Sequence, residues 1–191
     1  MPLPREERYT LADALNWDES ERIELIYGVP YLMSPPVRVH QEILTALVLQ
    51  IGTYLKGKKC RLYPAPFGVR LFEQDGDSPN LVDTMVEPDI SVVCDSDKLD
   101  EIGCKGAPDL IIEILSPSTQ RHDRVTKFNL YQEAGVREYW IVDPMSRTVQ
   151  VYVLENGLFR VVESYSAEDE AEVRVLSGCI VSLRDVFPTE E

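Results

Sequence analysis

The stretch PDLIIEILSPST, residues 108–119, constrains the fold more than any other part of the chain. Five of the seven residues from Asp109 to Leu115 are aliphatic, without the alternation of a half-exposed strand, so both faces of a strand there must be covered. Glu138–Val142 is a second short, largely apolar strand candidate. Between the two lies a helical segment, from about Arg121 to Ala134, with Gly135 placed to stop it. Two buried strands joined through a helix predict a parallel crossover. Against this background Glu113 is anomalous. A carboxylate in the middle of a covered strand costs several kcal/mol unless a cation, a metal or hydrogen bonds compensate it.

The remaining pattern fills in an α/β chain. Thr10–Leu15 reads as a short helix with Thr10 as N-cap, and Ile23–Met33 as two short strands around Gly28. From His40 to Leu55 the residues Ile43, Leu44, Leu47, Val48, Ile51 and Leu55 recur at helical spacing. Strand candidates follow at Arg61–Tyr63, Phe67–Phe72 and Val86–Val93, with Asp95–Gly106 a polar loop. Thr148–Leu154 and Leu158–Tyr165 flank Asn156-Gly157, a strong signal for a two-residue hairpin, and Glu172–Leu176 is an expected edge strand. The row Val149, Val151, Val153 alternates on one face of that hairpin and predicts either a sheet extension or a dimer contact.

With 191 residues and 44% hydrophobic residues, the chain suits one domain spanning 1–191. It divides into an N-terminal helix and strand pair (10–35), a core (36–144) and a C-terminal hairpin extension (145–187). The N-terminus lacks the basic-then-apolar pattern of a secretion signal, and no apolar run approaches the ~20 residues of a membrane helix. A cytoplasmic protein without a membrane partner is the expectation. Cys60, Cys94, Cys104 and Cys179 show no CxxC spacing and only two histidines exist, so neither a zinc site nor disulfides are expected. The net charge of −14 argues against broad adhesion to nucleic acid or anionic membranes, since such affinity rests on Lys and Arg. Acidic residues at a metal site would add to the same total.

Asp89, in EPDISVV, opens the strand before the one that holds Glu113. If the two strands are neighbours, both carboxylates converge, and a pair of oxygens completed by water and phosphate is a common way to hold Mg²⁺. A turn residue after Pro88 is the plainer reading of Asp89. At about 100° per residue with Asp123 at 0°, Leu130 and Ala134 fall near −20° and +20°, Lys127 near 40° and Tyr131 near 80°. Lys127 therefore faces the sheet, either as a snorkelling side chain paired with Asp123 or with a specific partner inside. Asp123 itself reads as a favourable first-turn charge.

EPDI, APDLIIEILSPST, DRVTKFNLYQEAGVREYWIVDP and the upstream ERIELIYGVPYLMSP with His40 resemble the Uma-type family of the restriction-endonuclease-like superfamily, named for its PD-(D/E)XK signature. The resemblance covers roughly residues 10–155. It implies a restriction-endonuclease-like core of helix, strands, helix and strand around a mixed sheet, with hairpin extensions at both ends. Asp89 matches the signature Asp and Glu113 its (D/E), while Leu115 stands where the signature has Lys. In related members the lysine has moved to the following helix, which makes Lys127 the matching residue. The resemblance also implies a role for Glu24, otherwise an ordinary strand charge, and raises His40, otherwise a helix-terminal residue.

The expected function is a Mg²⁺- or Mn²⁺-dependent endonuclease acting on nucleic acid, DNA in the first instance, and working as a homodimer. Asp89 and Glu113 would hold the metal, with Glu24 accessory and Lys127 orienting water or stabilising charge. Lys58, Lys59, Arg61, Arg121 and Arg124 are available for phosphate contacts, although solvated or helix-end charges explain most of them. The alternatives are an inactive nuclease-fold module for binding or assembly and a hydrolase of small phosphate esters.

Overall fold

The computed structural model describes residues 7–17, 22–117 and 121–188. The chain starts with a one-turn helix α1 (Leu11–Ala14), whose Asp13 carboxylate accepts from the Thr10 amide at 2.8 Å, closing its first turn. A hairpin follows, β1 (Ile23–Ile26) and β2 (Val29–Leu32), and then the long helix α2 (Arg38–Leu55). Next come β3 (Arg61–Pro64), the two-residue β4 (Val69–Arg70), β5 (Ile90–Val93), β6 (Leu99–Asp100) and β7 (Gly103–Lys105). β8 (Leu110–Ile114) is the strand that carries Glu113. Beyond it, six residues of π-helix, His122–Lys127, run directly into α3 (Phe128–Ala134). Gly135 ends α3 in the left-handed region (φ 87°), where a side chain would be strained. The rest is strand: β9 (Glu138–Asp143), β10 (Thr148–Glu155), β11 (Leu158–Ser166), β12 (Glu170–Val173) and β13 (Cys179–Ser182).

Six strands form the central sheet, in the order β11-β10-β9-β8-β5-β3. β8 and β9 are parallel and the other pairs antiparallel, so the sheet is mixed, with the predicted crossover through α3. Period-two alternation divides the core between the two faces. Ile43, Leu47, Ile51 and Leu55 of α2 cover one face, against Ile90, Val92, Leu110 and Ile112. Leu130 and Tyr131 of α3 cover the other, against Ile111, Tyr139 and Ile141. Each such aliphatic burial contributes about 1.5–3 kcal/mol, which is why β8 can be apolar on both sides. Glu113 shares its face with Ile111 and therefore points at α3.

Several expectations need correction. Phe67–Phe72 yields only the two residues of β4, which pair with β7 in a small separate sheet. The segment 170–182 folds back as its own β12–β13 hairpin, adding no edge to the main sheet. Val149 and Val151 are fully buried in the chain's own core together with Ala171, Val173 and Val181 of that hairpin, and Val153 is partly buried, so the valine row extends the sheet and its first two members are not available to a partner. Cys60 and Cys94 form a disulfide, contrary to the expectation of free thiols. The register places Arg61 opposite Val93, which sets the two cysteines against each other at the ends of β3 and β5. Cys104 and Cys179 are free and buried, as expected. The end of the PDLIIEILSPST motif, Ser118 and Thr119, lies outside the described residues. Among the described residues no helix is long and apolar enough to cross a membrane.

Candidate active site

Burial alone does not single out Glu113, because Glu138 in the neighbouring strand is buried just as deeply. Their partners differ. Glu138 accepts from Trp140 Nε1 (2.6 Å) and from the Val175 and Arg174 amides (2.7 and 3.1 Å), donors that tie down the C-terminal segment. Glu113 instead meets an ammonium and a phenol at the wall of a pocket of about 430 Å³. Glu138 is explained by architecture and Glu113 is not.

Glu24, Asp89, Glu113, Asp123 and Lys127 all line that pocket, so the structure brings every predicted site residue to one place. β5 and β8 are adjacent, with Ile90 opposite Ile112. Asp89 accepts from the Ile114 amide (2.8 Å) and its own amide approaches Glu113 Oε2 at 3.4 Å. Lys127 Nζ stands 2.9 Å from Glu113 Oε1, 2.8 Å from Glu24 Oε1 and 3.9 Å from Asp123 Oδ1, with only 4% of its side chain exposed. Glu24 is held by the Glu87 amide at 2.9 Å. The lysine therefore enters from the helix, and it does so from a π-helical turn, a rare geometry that is frequent at functional sites.

Three groups acquire contacts that the sequence reading left unassigned, and a fourth, Asp123, proves more deeply buried than expected. Tyr131 Oη donates to Glu113 Oε1 at 2.6 Å; it lies four residues after Lys127, on the same helical face. His40 Nε2 is 3.1 Å from Asp89 Oδ2, while its Nδ1 is buried without a hydrogen-bond partner. Asp123 stands in the first turn as expected, but it is only 4% exposed, lies 3.9 Å from Lys127 Nζ and lines the pocket. His122 lies 4.0 Å from Glu24 and packs against the Tyr31 ring. Of the proposed phosphate-contacting bases, Arg124 is committed to Gln150 and Asp143, and Arg61 to backbone carbonyls of the 58–60 turn.

The electrostatics are unbalanced. Three carboxylates, Glu24, Glu113 and Asp123, surround one ammonium, with Asp89 beside Glu113. Burial pushes the Glu113 carboxyl up to about 8; Lys127 opposes this, while Asp89, Asp123 and Glu24 add to it. Burial alone would lower the Lys127 pKa, but Glu113, Glu24 and Asp123 together hold it well above the usual lysine value. Burial first, then Lys127, hold the His122 imidazole below its usual value. Burial and the neighbouring carboxylates thus both favour a proton on Glu113, and only Lys127 opposes them.

That deficit is what a divalent cation would supply. Among the described residues the contacts to Asp89 go to Oδ2 and Glu113 Oε2 has the long approach of the Asp89 amide, so each carboxylate has an oxygen that these contacts do not use. Among the described residues no group of three or more His, Cys, Asp or Glu is arranged as a cage. Mg²⁺ does not need one: it is commonly held by one or two carboxylates, with water and phosphate completing the shell. The donor set fits such an ion.

Comparison with known proteins places the chain in a family and a fold. The family model "Uma2: Putative restriction endonuclease" matches residues 10–184. An uncharacterised protein of Synechocystis sp. (strain ATCC 27184 / PCC 6803 / Kazusa), slr1290, is 26% identical over 163 residues, covering 84% of this chain and 82% of that protein. A crystal structure from Anabaena variabilis ATCC 29413, described as "a putative nuclease belonging to DUF820", superposes with a TM-score of 0.73 at 24% identity, over 94% of this chain and 97% of that one. That likeness establishes a nuclease-like α/β fold. With a family match running from α1 through the C-terminal hairpin, the chain belongs to the Uma2 family.

Proposed function

We propose that this chain is a metal-dependent phosphodiesterase of nucleic acid, with DNA as its first candidate substrate. The observation that carries the proposal is the meeting of Asp89, Glu113 and Lys127, from two adjacent strands and a helix, at one pocket wall with an excess of negative charge. The family description and the nuclease-like neighbour support the same reading.

Asp89 and Glu113 are the residues that would hold Mg²⁺ or Mn²⁺, with Glu24 one step behind through Lys127. A bound divalent ion would supply Lewis-acid polarisation of the phosphoryl group and a more acidic water. The chain's own residues do the rest. Lys127 keeps its proton, because its carboxylate neighbours outweigh its burial. It therefore serves as a fixed donor to the attacking water or to a phosphoryl oxygen, not as a general base. Tyr131 and Lys127 hold the Glu113 carboxylate in one orientation, and His40 and the Ile114 amide do the same for Asp89. In the hydrolysis the water oxygen bonds to phosphorus, one P–O ester bond breaks, and the proton lost by water ends on the departing oxygen.

The test is hydrolysis of a labelled oligodeoxynucleotide with Mg²⁺, Mn²⁺ or chelator, by the wild type and by Asp89→Asn and Glu113→Gln. Metal-dependent cleavage lost in both folded variants is the expected result. A homodimer no longer has the valine row as its basis.

A further inference from the structure

The pocket has an aromatic side that the hydrolytic reading does not use. β1 and β2 pair with Glu24 directly opposite Tyr31, so both side chains leave the hairpin on the same face. Glu24 reaches Lys127, while Tyr31 lines the pocket, 37% exposed, with its ring centroid 4.8 Å from that of His122 and the planes at 40°. Leu32, Pro35, Pro36 and Val37 continue this side as an apolar lip, Leu32 being 71% and Val37 55% exposed. Asp89 and Glu113 line the same pocket. The site thus has a charged wall suited to a metal and phosphate and an aromatic, apolar wall suited to a flat, weakly polar ring.

The cations around the pocket point the same way. Arg22 is bridged to Glu87 at 2.6 Å, and Lys127 is engaged by Glu24 and Glu113. The two long cationic side chains that line the pocket are thus already paired with carboxylates, which weakens their grip on a run of phosphates, the main source of affinity for a duplex. Base–aromatic stacking is then the interaction left to hold the ligand. A volume of about 430 Å³ admits a nucleotide-sized group but not both strands of a duplex, whose bases are in any case hidden in the stack.

Resting on the phosphodiesterase reading above, we infer that the site takes one nucleotide of an unpaired strand, its base against the Tyr31–His122 pair and its phosphate at Asp89 and Glu113. The substrate class is single-stranded or locally unpaired nucleic acid, not intact duplex.

The experiment measures binding, so that it stands apart from turnover. Fluorescence anisotropy in Mg²⁺ buffer compares a short single-stranded oligodeoxynucleotide, the same strand with an abasic position at each site, and the matching duplex. The wild type should prefer the intact single strand over the abasic strand by about tenfold or more, the scale of one lost base stack. Tyr31→Phe keeps the ring and should keep that ratio, whereas Tyr31→Ala should bring it close to one. A fluorescent adenine analogue in the strand should be quenched by the wild type and Tyr31→Phe but not by Tyr31→Ala. Equal affinity for intact and abasic strands, or duplex binding as tight as single-strand binding, overturns the inference even if DNA is cleaved. A Tyr31-dependent ratio without any hydrolysis supports the base platform and refutes the hydrolase.

Discussion

Lys127 Nζ and Glu113 Oε1 lie 2.9 Å apart, brought together from a π-helical turn and the middle of a buried strand. The pair answers the anomaly in the sequence. Glu113 is tolerated in a covered strand because an ammonium from the next helix meets it there, and the Leu115 position no longer needs to supply one.

Replacing that ammonium tests its role. Lys127→Met keeps much of the apolar stem, so the protein should fold and still bind metal, while any phosphodiesterase rate should fall by roughly a hundredfold or more. Lys127→Arg should also be impaired, because a planar fork does not fit where a compact ammonium is nearly fully enclosed. Single-turnover kinetics on folded protein make the comparison. Full activity in Lys127→Met would reduce the residue to a structural partner of Glu24 and Glu113.

The Glu113 carboxyl predicts a pH dependence of stability. Its pKa rises from 4.5 to about 8 on folding, so the folded state holds the extra proton between those values. The stability this group contributes is fully present below pH 4.5 and is lost as pH rises through about 8. In chelator, urea midpoints should therefore fall across that window. Glu113→Gln should remove much of the slope and leave the share due to Glu138, whose pKa burial also raises. An unchanged slope in Glu113→Gln would show that Glu113 is already ionised at neutral pH.

Tyr131→Phe deletes one hydroxyl and leaves the ring packing intact. Above pH 8, where Glu113 is ionised, it should cost about 1.5–3 kcal/mol, the range for hydrogen bonds to charged groups. At lower pH the loss should shrink, because the phenol then faces a neutral carboxyl. A pH-independent loss would argue against charge on Glu113 as the reason for the contact.

The cysteines give a chemical check on the fold. In urea without reductant two thiols per chain should titrate, Cys104 and Cys179, and four after reduction. In the native protein both should alkylate slowly at neutral pH, since burial pushes each thiol up to about 11. Four thiols in urea without reductant would mean that Cys60 and Cys94 are not paired.

What the sequence made legible depended on periodicity. Both faces of β8, the crossover to β9, the stop at Gly135 and the turn at Asn156-Gly157 (φ 52° and 78°) all follow from local pattern. The helical arc also carried Lys127 inward, because its apolar neighbours set the buried face. Tyr131 lay on the same arc, but a tyrosine among apolar residues looks like ordinary core until its hydroxyl is seen at Glu113. His40 could not be read, since its contact with Asp89 depends on where α2 lies across the start of β5. Asp123 was obscured by its place in the first helical turn, where acidic residues need no special reason. The Cys60–Cys94 bond required the register of β3 on β5, which no local pattern encodes.

The central claim is that Asp89 and Glu113 together hold a divalent cation, and a crystal soaked in Mn²⁺ tests it most directly. The account predicts an anomalous peak within coordination distance, about 2.0–2.2 Å, of one oxygen each from Asp89 and Glu113, with waters completing the shell. It further predicts that the peak vanishes in Asp89→Asn while Lys127 stays in place. A pocket that stays empty at saturating Mn²⁺, or a peak bound elsewhere, would contradict it.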